Sequence, residues 1–439
     1  EIRRHDANVY YENPTTDGET HLETLENIVP DGEHALHTYG DYLRVARCET
    51  LSYQTGECEQ WSFQAEATLG GGFLDVEPDD GQGQLTDAFA EVQTYYSLDT
   101  YYGWLRDEFG FDPQFVDAGS LEPGSSIWVF VNADFANGFF MASNDYYGNA
   151  DMIVLGQGQK DFSYDNDVTR HEFTHAMSSQ VFDVWMFNVD SMGSDLSGGG
   201  VEEGTADYFP CSVHDNPDLG EYLGIARTAA NSNRCPDALI GESHEDGMII
   251  SGTMWEIREE LGETRANHMH FGALASNTVM SINDYGDAIE VQAFVMSTEN
   301  DPALAITEAE HDFVTETLEY RNLKHCVRAV PVAPSDAIMH LSMYSLSSQG
   351  TPSGVQYVVT SEDDTEQLAL EITPYGDPYD VYVRAGEPVR YTWTQNGYYM
   401  NWEADYDMAF LHDGEKITDA AVTNLSELEL EKKDRKSVV

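Results

Sequence analysis

The sequence predicts an α+β fold, with strands first, helices after them and a second β region towards the end. Three observations predict it. Short apolar stretches such as Tyr42-Leu43-Arg44-Val45, broken by Gly, Asp and Pro, fill residues 1 to about 80, and β-prone runs recur at Ile127-Trp128-Val129-Phe130-Val131 and Met152-Ile153-Val154-Leu155. Between these, Tyr95, Leu98, Tyr102, Leu105 and Phe109 recur at steps of three and four, the single buried face of a long helix running from Asp87 to Gly110. Past Cys326, Leu368, Leu370 and Ile372 alternate, as do Val381 and Val383, which marks half-buried strands.

Taken in order, the glycine and aspartate breaks at Gly70-Gly71-Gly72 and Asp79-Asp80-Gly81 end a β-rich N-terminal region at residue 82. Residues 83–326 form the second unit. After its strand-like runs a helix begins near Asp167, and further helical patterns lie around 202–210, 250–261, 285–297 and 303–322. A stretch rich in Pro, Ser and Gly makes 327–352 a linker, and 353–439 reads as a β-sandwich.

The chain carries 79 acidic against 21 basic residues among 439, a formal net charge of -58. Such a surface repels polyanions, which excludes nucleic acid as a partner and disfavours anionic membranes. Aromatic residues make up 12% of the chain, enough to bury a core and exclude disorder as the explanation of the charge. No apolar run has the length of a membrane span, and the opening at Glu1, without a basic n-region, resembles a mature or trimmed form. The acid excess has two readings, life in high salt or an ordinary acidic secreted protein with calcium sites, and composition leaves both open.

Five cysteines fall as Cys48 with Cys58, Cys211 with Cys235, and Cys326 alone, and none has a CxxC spacing. Two local disulfides in an oxidising, extracellular compartment are expected.

The chemistry lies in His171-Glu172-Phe173-Thr174-His175, an HExxH pentapeptide. On a helix, residues four apart share a face, so the two imidazoles reach one ion. Glu172 lies about 100° round the helix, where a carboxylate can take the proton of a metal-bound water. Downstream, Glu203-Gly204-Thr205-Ala206-Asp207 supplies a third ligand and, one turn later, a carboxylate able to orient an imidazole. Glu202 competes for the ligand role on chemistry alone. His244 offers a further imidazole, and Asn132-Ala133-Asp134-Phe135-Ala136 beside a strand is a candidate peptide-binding edge.

In this order and spacing, these pieces make residues 85–325 resemble a fungalysin-type, thermolysin-like zinc metallopeptidase of the gluzincin group. The resemblance implies a two-lobed catalytic domain, a mixed β N-lobe and a mainly helical C-lobe. It implies zinc on His171, His175 and Glu203, Glu172 as general base, Asp207 behind a ligand, and His244 at the oxyanion. It places substrate backbone on Asn132 and Ala133 and a calcium ligand at Asp167, within a crowd of acids that also includes Asp145, Asp151, Asp161 and Asp165. An arginine bracing the site is matched by Arg227 or Arg234. One departure stands out, since no Tyr occurs from Ala176 to Glu202, where thermolysin carries a second oxyanion donor. The C-terminal segment is similar to bacterial pre-peptidase C-terminal β-sandwich domains, through Gln356-Tyr357-Val358-Val359 and Asp380-Val381-Tyr382-Val383.

The expected function is therefore secreted, zinc-dependent endopeptidase cleavage of protein or peptide substrates by a monomer. Its rivals are a zinc aminopeptidase on the same scaffold and a non-catalytic cation-binding or adhesion protein. For the acid excess, thermal stability measured from low to molar salt decides. The high-salt reading expects a fall as salt is withdrawn, and full stability without salt would reject it.

Overall fold

The structure is a computed structural model, and it describes residues 5–29, 36–52, 54–68, 72–79, 84–116, 123–124, 126–143, 150–225, 227–333, 351–360, 367–370, 380–396, 399–410 and 421–424. Asp145 and Ile372 lie outside the described residues.

The first strands are β1 (His5–Val9) and β2 (His21–Leu25), an antiparallel pair. Next come β3 (Leu43–Leu51), β4 (Cys58–Ser62), helix α1 (Ala88–Phe109), β5 (Ile127–Ala133), β6 (Gly138–Met141) and β7 (Met152–Gly156). Strands β3 to β7 form one mixed sheet in the order β4-β3-β5-β7-β6. Its centre, β3, β5 and β7, is parallel, and both edges are antiparallel. A parallel centre must be covered on both faces, which explains why β5 and β7 are continuous apolar runs with every residue buried. Ile127, Val129 and Val131 enter the main core with Tyr95, Leu98 and Leu105 of α1, while Trp128 and Phe130 point into a smaller cluster with Ala46, Met152 and Val154. The period-two alternation thus splits one strand between two cores. Helix α1 has the predicted limits. Asp87 accepts from the Phe89 N–H at its start, and Gly110 closes it in the left-handed region at φ 71°.

The helical part follows. It comprises α2 (Asn166–Val181), a hairpin of β8 (Asn188–Asp190) and β9 (Gly193–Asp195), then α3 (Ser197–His214), α4 (Ser243–Leu261), α5 (Glu263–Ser276), α6 (Ile282–Ser297) and α7 (Glu308–Arg321). Among the described residues, no helix is long and apolar enough to cross a membrane. The decisive packing is α3 on α4. A Cβ on Gly204 would lie 2.3 Å from the Gly247 carbonyl oxygen, so only glycine lets the two backbones approach this closely. Glu203 and His244 sit beside that crossing.

The C-terminal β region consists, among the described residues, of two-stranded pairs. β10 (Ala329–Val332) runs parallel to β11 (Gln356–Val359). β12 (Gln367–Leu370) carries the predicted Leu368 and Leu370, and β13 (Val381–Val383) the predicted valines. β14 (Arg390–Asn396) pairs antiparallel with β15 (Tyr399–Asp405).

Cys48 and Cys58 form the expected disulfide. The second expected pair is corrected, because Cys235 bonds Cys326 and Cys211 is a buried free thiol. Cys211 lies on the face of α3 packed against Val168, Leu219, Ala229 and Trp255. Cys235 instead lies beside the end of α7, where its N–H bonds the Arg321 carbonyl, so folding brings Cys326 to it across 91 positions. Thiol titration of the denatured, unreduced protein is expected to count one free thiol and five after reduction. A count of three or five before reduction would contradict the pairing.

Candidate metal centre

Helix α2 is started by Asp165, whose carboxylate accepts from the Val168 N–H, and it is buried along most of its length. This fixes His171 and His175 one turn apart beneath α3. Glu203 reaches them from α3 and His244 from the first turn of α4. Donor atoms of His171, His175 and Glu203 lie within 4.8 Å of one another, the one group among the described residues where three such donors converge.

The geometry needs a positive charge. Glu203 Oε2 lies 3.2 Å from His171 Nε2, 3.4 Å from His175 Nε2 and 3.2 Å from His244 Nε2, and the His171 and His175 Nε2 atoms are 3.1 Å apart. Each of the first two rings has its other nitrogen against a carboxylate. His171 Nδ1 is 2.9 Å from Asp207 Oδ1, and His175 Nδ1 is 3.4 Å from Glu202 Oε1. A ring proton on Nδ1 leaves a lone pair on Nε2, so two imidazole lone pairs and a carboxylate oxygen face one another in a buried space. Glu203 Oε2 accordingly has no hydrogen-bond donor. Three converging acceptors are a metal site or must hold protons. The residues present, two imidazoles and a carboxylate, could hold a metal ion.

The electrostatics agree. Burial alone would lower His171 and His175, but Asp207 and Glu203 beside the first and Glu203 and Glu202 beside the second raise both above the ordinary imidazole value. Burial would raise Glu203, yet His175 and His171 hold it well below the carboxylate range. Asp207 is likewise depressed against its burial, first by Arg227 and then by His171.

Glu202 is the residue that reading for ligands left undecided. It turns away from the donor group, accepting at 3.1 Å from the Ser178 hydroxyl while facing His175, so it orients a ring and leaves ligation to Glu203. Arg227, not Arg234, is the bracing arginine. Its Nη2 donates to Asp207 Oδ1 at 2.9 Å, whereas Arg234 is half-exposed on Asp237. Glu242 was missed, although it sits two residues before His244. Its Oε1 is 2.8 Å from His244 Nδ1, its Oε2 accepts from the Glu245 N–H, and so the ring is aimed with Nε2 towards Glu203. Glu172 is buried on α2 next to β6, where a Cβ on Gly138 would come 3.3 Å from its Oε1.

One expectation fails on geometry. Asn132 and Ala133 are fully buried at the end of β5, a central strand. The Asn132 side chain donates to the Asp87 carbonyl at 2.8 Å and accepts from Gln157 at 2.9 Å, leaving nothing for a substrate. The free edge beside Glu172 is β6, whose pattern was too short to read. The acids ahead of α2 divide, Asp151 and Asp161 serving the backbone while Asp165 and Asp167 stay together beside Glu221. Asp151 accepts from the Val116 and Ser143 N–H groups, Asp161 from the Ser163 N–H, and Asp165 caps α2. Asp167 is buried with Oδ1 2.7 Å from His214 Nδ1, and Asp165 Oδ2, both Asp167 oxygens and Glu221 Oε2 are buried without a hydrogen-bond partner. Burial pushes Asp161 up to about 8 and raises Asp165 and Asp167, while burial and Arg170 lower His214 to about 3.

No protein-family model matches the chain, and no curated protein matches it.

Because His171 and His175 hold their protons more tightly than a free imidazole, a metal must displace those protons. Affinity is therefore fully developed above the raised values and falls as pH drops through them. Titration with zinc or cobalt in competition with a chelator between about pH 5 and 8 is expected to show this loss towards acid. An affinity independent of pH would reject these histidines as ligands.

Proposed function

We propose that this chain is a secreted zinc metalloendopeptidase of the thermolysin-like, gluzincin type. The observation that carries the reading is the convergence of His171, His175 and Glu203 on one buried point with Glu172 in the same helix turn. The HExxH spacing, the Glu203 to Asp207 pair and the α+β order of strands then helices support it further. The two disulfides, which persist in oxidising compartments, support secretion.

A zinc ion held by His171, His175 and Glu203 would supply Lewis-acid chemistry, lowering the pKa of a water to roughly neutrality. Glu172 takes the proton of the attacking water and passes it to the leaving amine. His244, held from behind by Glu242, donates to the oxyanion from the α4 side. Arg227 and Asp207 keep His171 in the tautomer that offers Nε2, and Glu202 does the same for His175. An extended peptide is held by main-chain hydrogen bonds along the open edge of β6, which runs past Glu172. The half-exposed His244 marks the solvent side from which substrate enters.

Glu172→Gln is the test, with an internally quenched, end-blocked peptide as substrate and bound zinc counted separately. The variant is expected to retain one zinc while cleavage falls by at least about a hundredfold. Substantial residual cleavage would remove Glu172 as the base. Cleavage only of substrates with a free amino terminus would favour an aminopeptidase, and zinc binding without any cleavage would favour a non-catalytic cation-binding protein.

A further inference from the structure

The start of α3 is poorly built for the task it performs. Ser197-Gly198-Gly199-Gly200 places three glycines in the first turn, where close neighbours such as the Trp185 carbonyl leave no room for a side chain, and Leu196 offers no side-chain cap. Just before it stands the β8–β9 hairpin, two strands of three residues each, a unit too small to be stable alone in water. Yet Glu202 and Glu203 lie within two turns of this weak start, and a ligand carboxylate must be held to within a fraction of an ångström.

What holds the hairpin is the C-terminal β region, reaching it from three separate stretches of chain. Arg328, buried, donates through Nη2 to Asp190 at 2.6 Å and places Nη1 3.3 Å from Asp195, whose Oδ1 accepts from the Ser197 N–H at the first residue of α3. The Ser194 N–H bonds the Pro352 carbonyl, and Gln356 Nε2 donates to the Met192 carbonyl at 3.1 Å. From β14, the Tyr391 N–H bonds the Ser191 carbonyl at 2.9 Å and the Trp393 indole N–H the Asp190 carbonyl at 2.6 Å. The fit leaves no slack, since a Cβ on Gly193 would lie 2.1 Å from the Ser353 carbonyl oxygen and one on Gly354 1.8 Å from that of Ser194. The Cys235–Cys326 disulfide anchors the start of this region to the loop ahead of α4, two residues before Arg328.

We propose that the C-terminal β region is a brace for the metal centre, holding the weak first turn of α3 through the β8–β9 hairpin, with Arg328 as the positioning residue that links the two. Residues 190–195 of the segment between His175 and Glu202 make this docking. A removable module would leave the geometry of Glu203 unaffected by its loss. A brace passes any loosening of the hairpin along a rigid helix to the ligand one and a half turns beyond.

The metal half of this proposal rests on the zinc reading, so the test has two independent arms. On the full chain, Arg328→Ala, Arg328→Lys and the milder Trp393→Phe are compared with the parent by amide hydrogen exchange over 188–203 and by zinc affinity from chelator competition. Arg328→Ala is expected to speed exchange in the first turn of α3 and to weaken zinc by about tenfold, the scale at which groups behind metal ligands act. Arg328→Lys, which cannot span both aspartates, should fall between, and Trp393→Phe should shift both readouts the same way with the fold intact. Lower thermal stability with unchanged exchange over 197–203 and unchanged zinc affinity would overturn the brace. If the parent binds no zinc, the metal reading fails, and the exchange arm still decides whether α3 is braced.

Discussion

Lone-pair acceptors aimed at one another in a buried space are the constraint around which this molecule is arranged. His171, His175 and Glu203 each present an acceptor to the same point, and carboxylates at Asp207 and Glu202 hold the two rings in the tautomer that does so. The site has one solvent side at His244, and a hydrogen-bond donor is missing at Glu203 Oε2. The folding free energy must therefore carry this arrangement until a cation or protons neutralise it. The site lies beside the close crossing of α3 and α4 at Gly204 and Gly247, and α2, α3 and α4 each contribute a turn to it.

The rest of the fold follows from positioning those turns. The parallel-centred sheet and α1 bury the back of α2, and the open edge of β6 runs past Glu172. The glycine contact of Gly204 with Gly247 brings His244 over Glu203, and Glu242 aims it. Arg227 answers the charge of Asp207, an important role in a chain with so few cations. The buried arginines Arg258, Arg321 and Arg328 have comparable tasks, each tying acids or carbonyls from different elements.

Part of the net charge of -58 is buried, and several of those acids are held by backbone N–H groups. Asp151, Asp161 and Asp165 cap backbone N–H groups, and Glu91 accepts from those of Arg47, Gln64 and Ala65 with its pKa pushed up to about 8 by burial. An acid that caps an N–H is structural, and it resembles a cation ligand only when read as a letter in a row.

The local features were legible because they are repeats of short period. The helix spacing of Tyr95 to Leu105, the apolar runs of β5 and β7 and the HExxH pair depend on neighbours three or four residues away, which the sequence displays directly. The choice of Glu203 over Glu202 needed the resemblance, and only the packing of α3 showed which carboxylate faces both Nε2 atoms and which lies on the far side of His175. Three matters belonged to tertiary structure alone. They are the partner of Cys235, the central place of β5 that removes Asn132 from the substrate edge, and the docking of the C-terminal strands on the β8–β9 hairpin. Each joins residues far apart in the chain. Sequence pattern fixes which residues lie on one face of an element, while the global packing of apolar surface decides which faces meet.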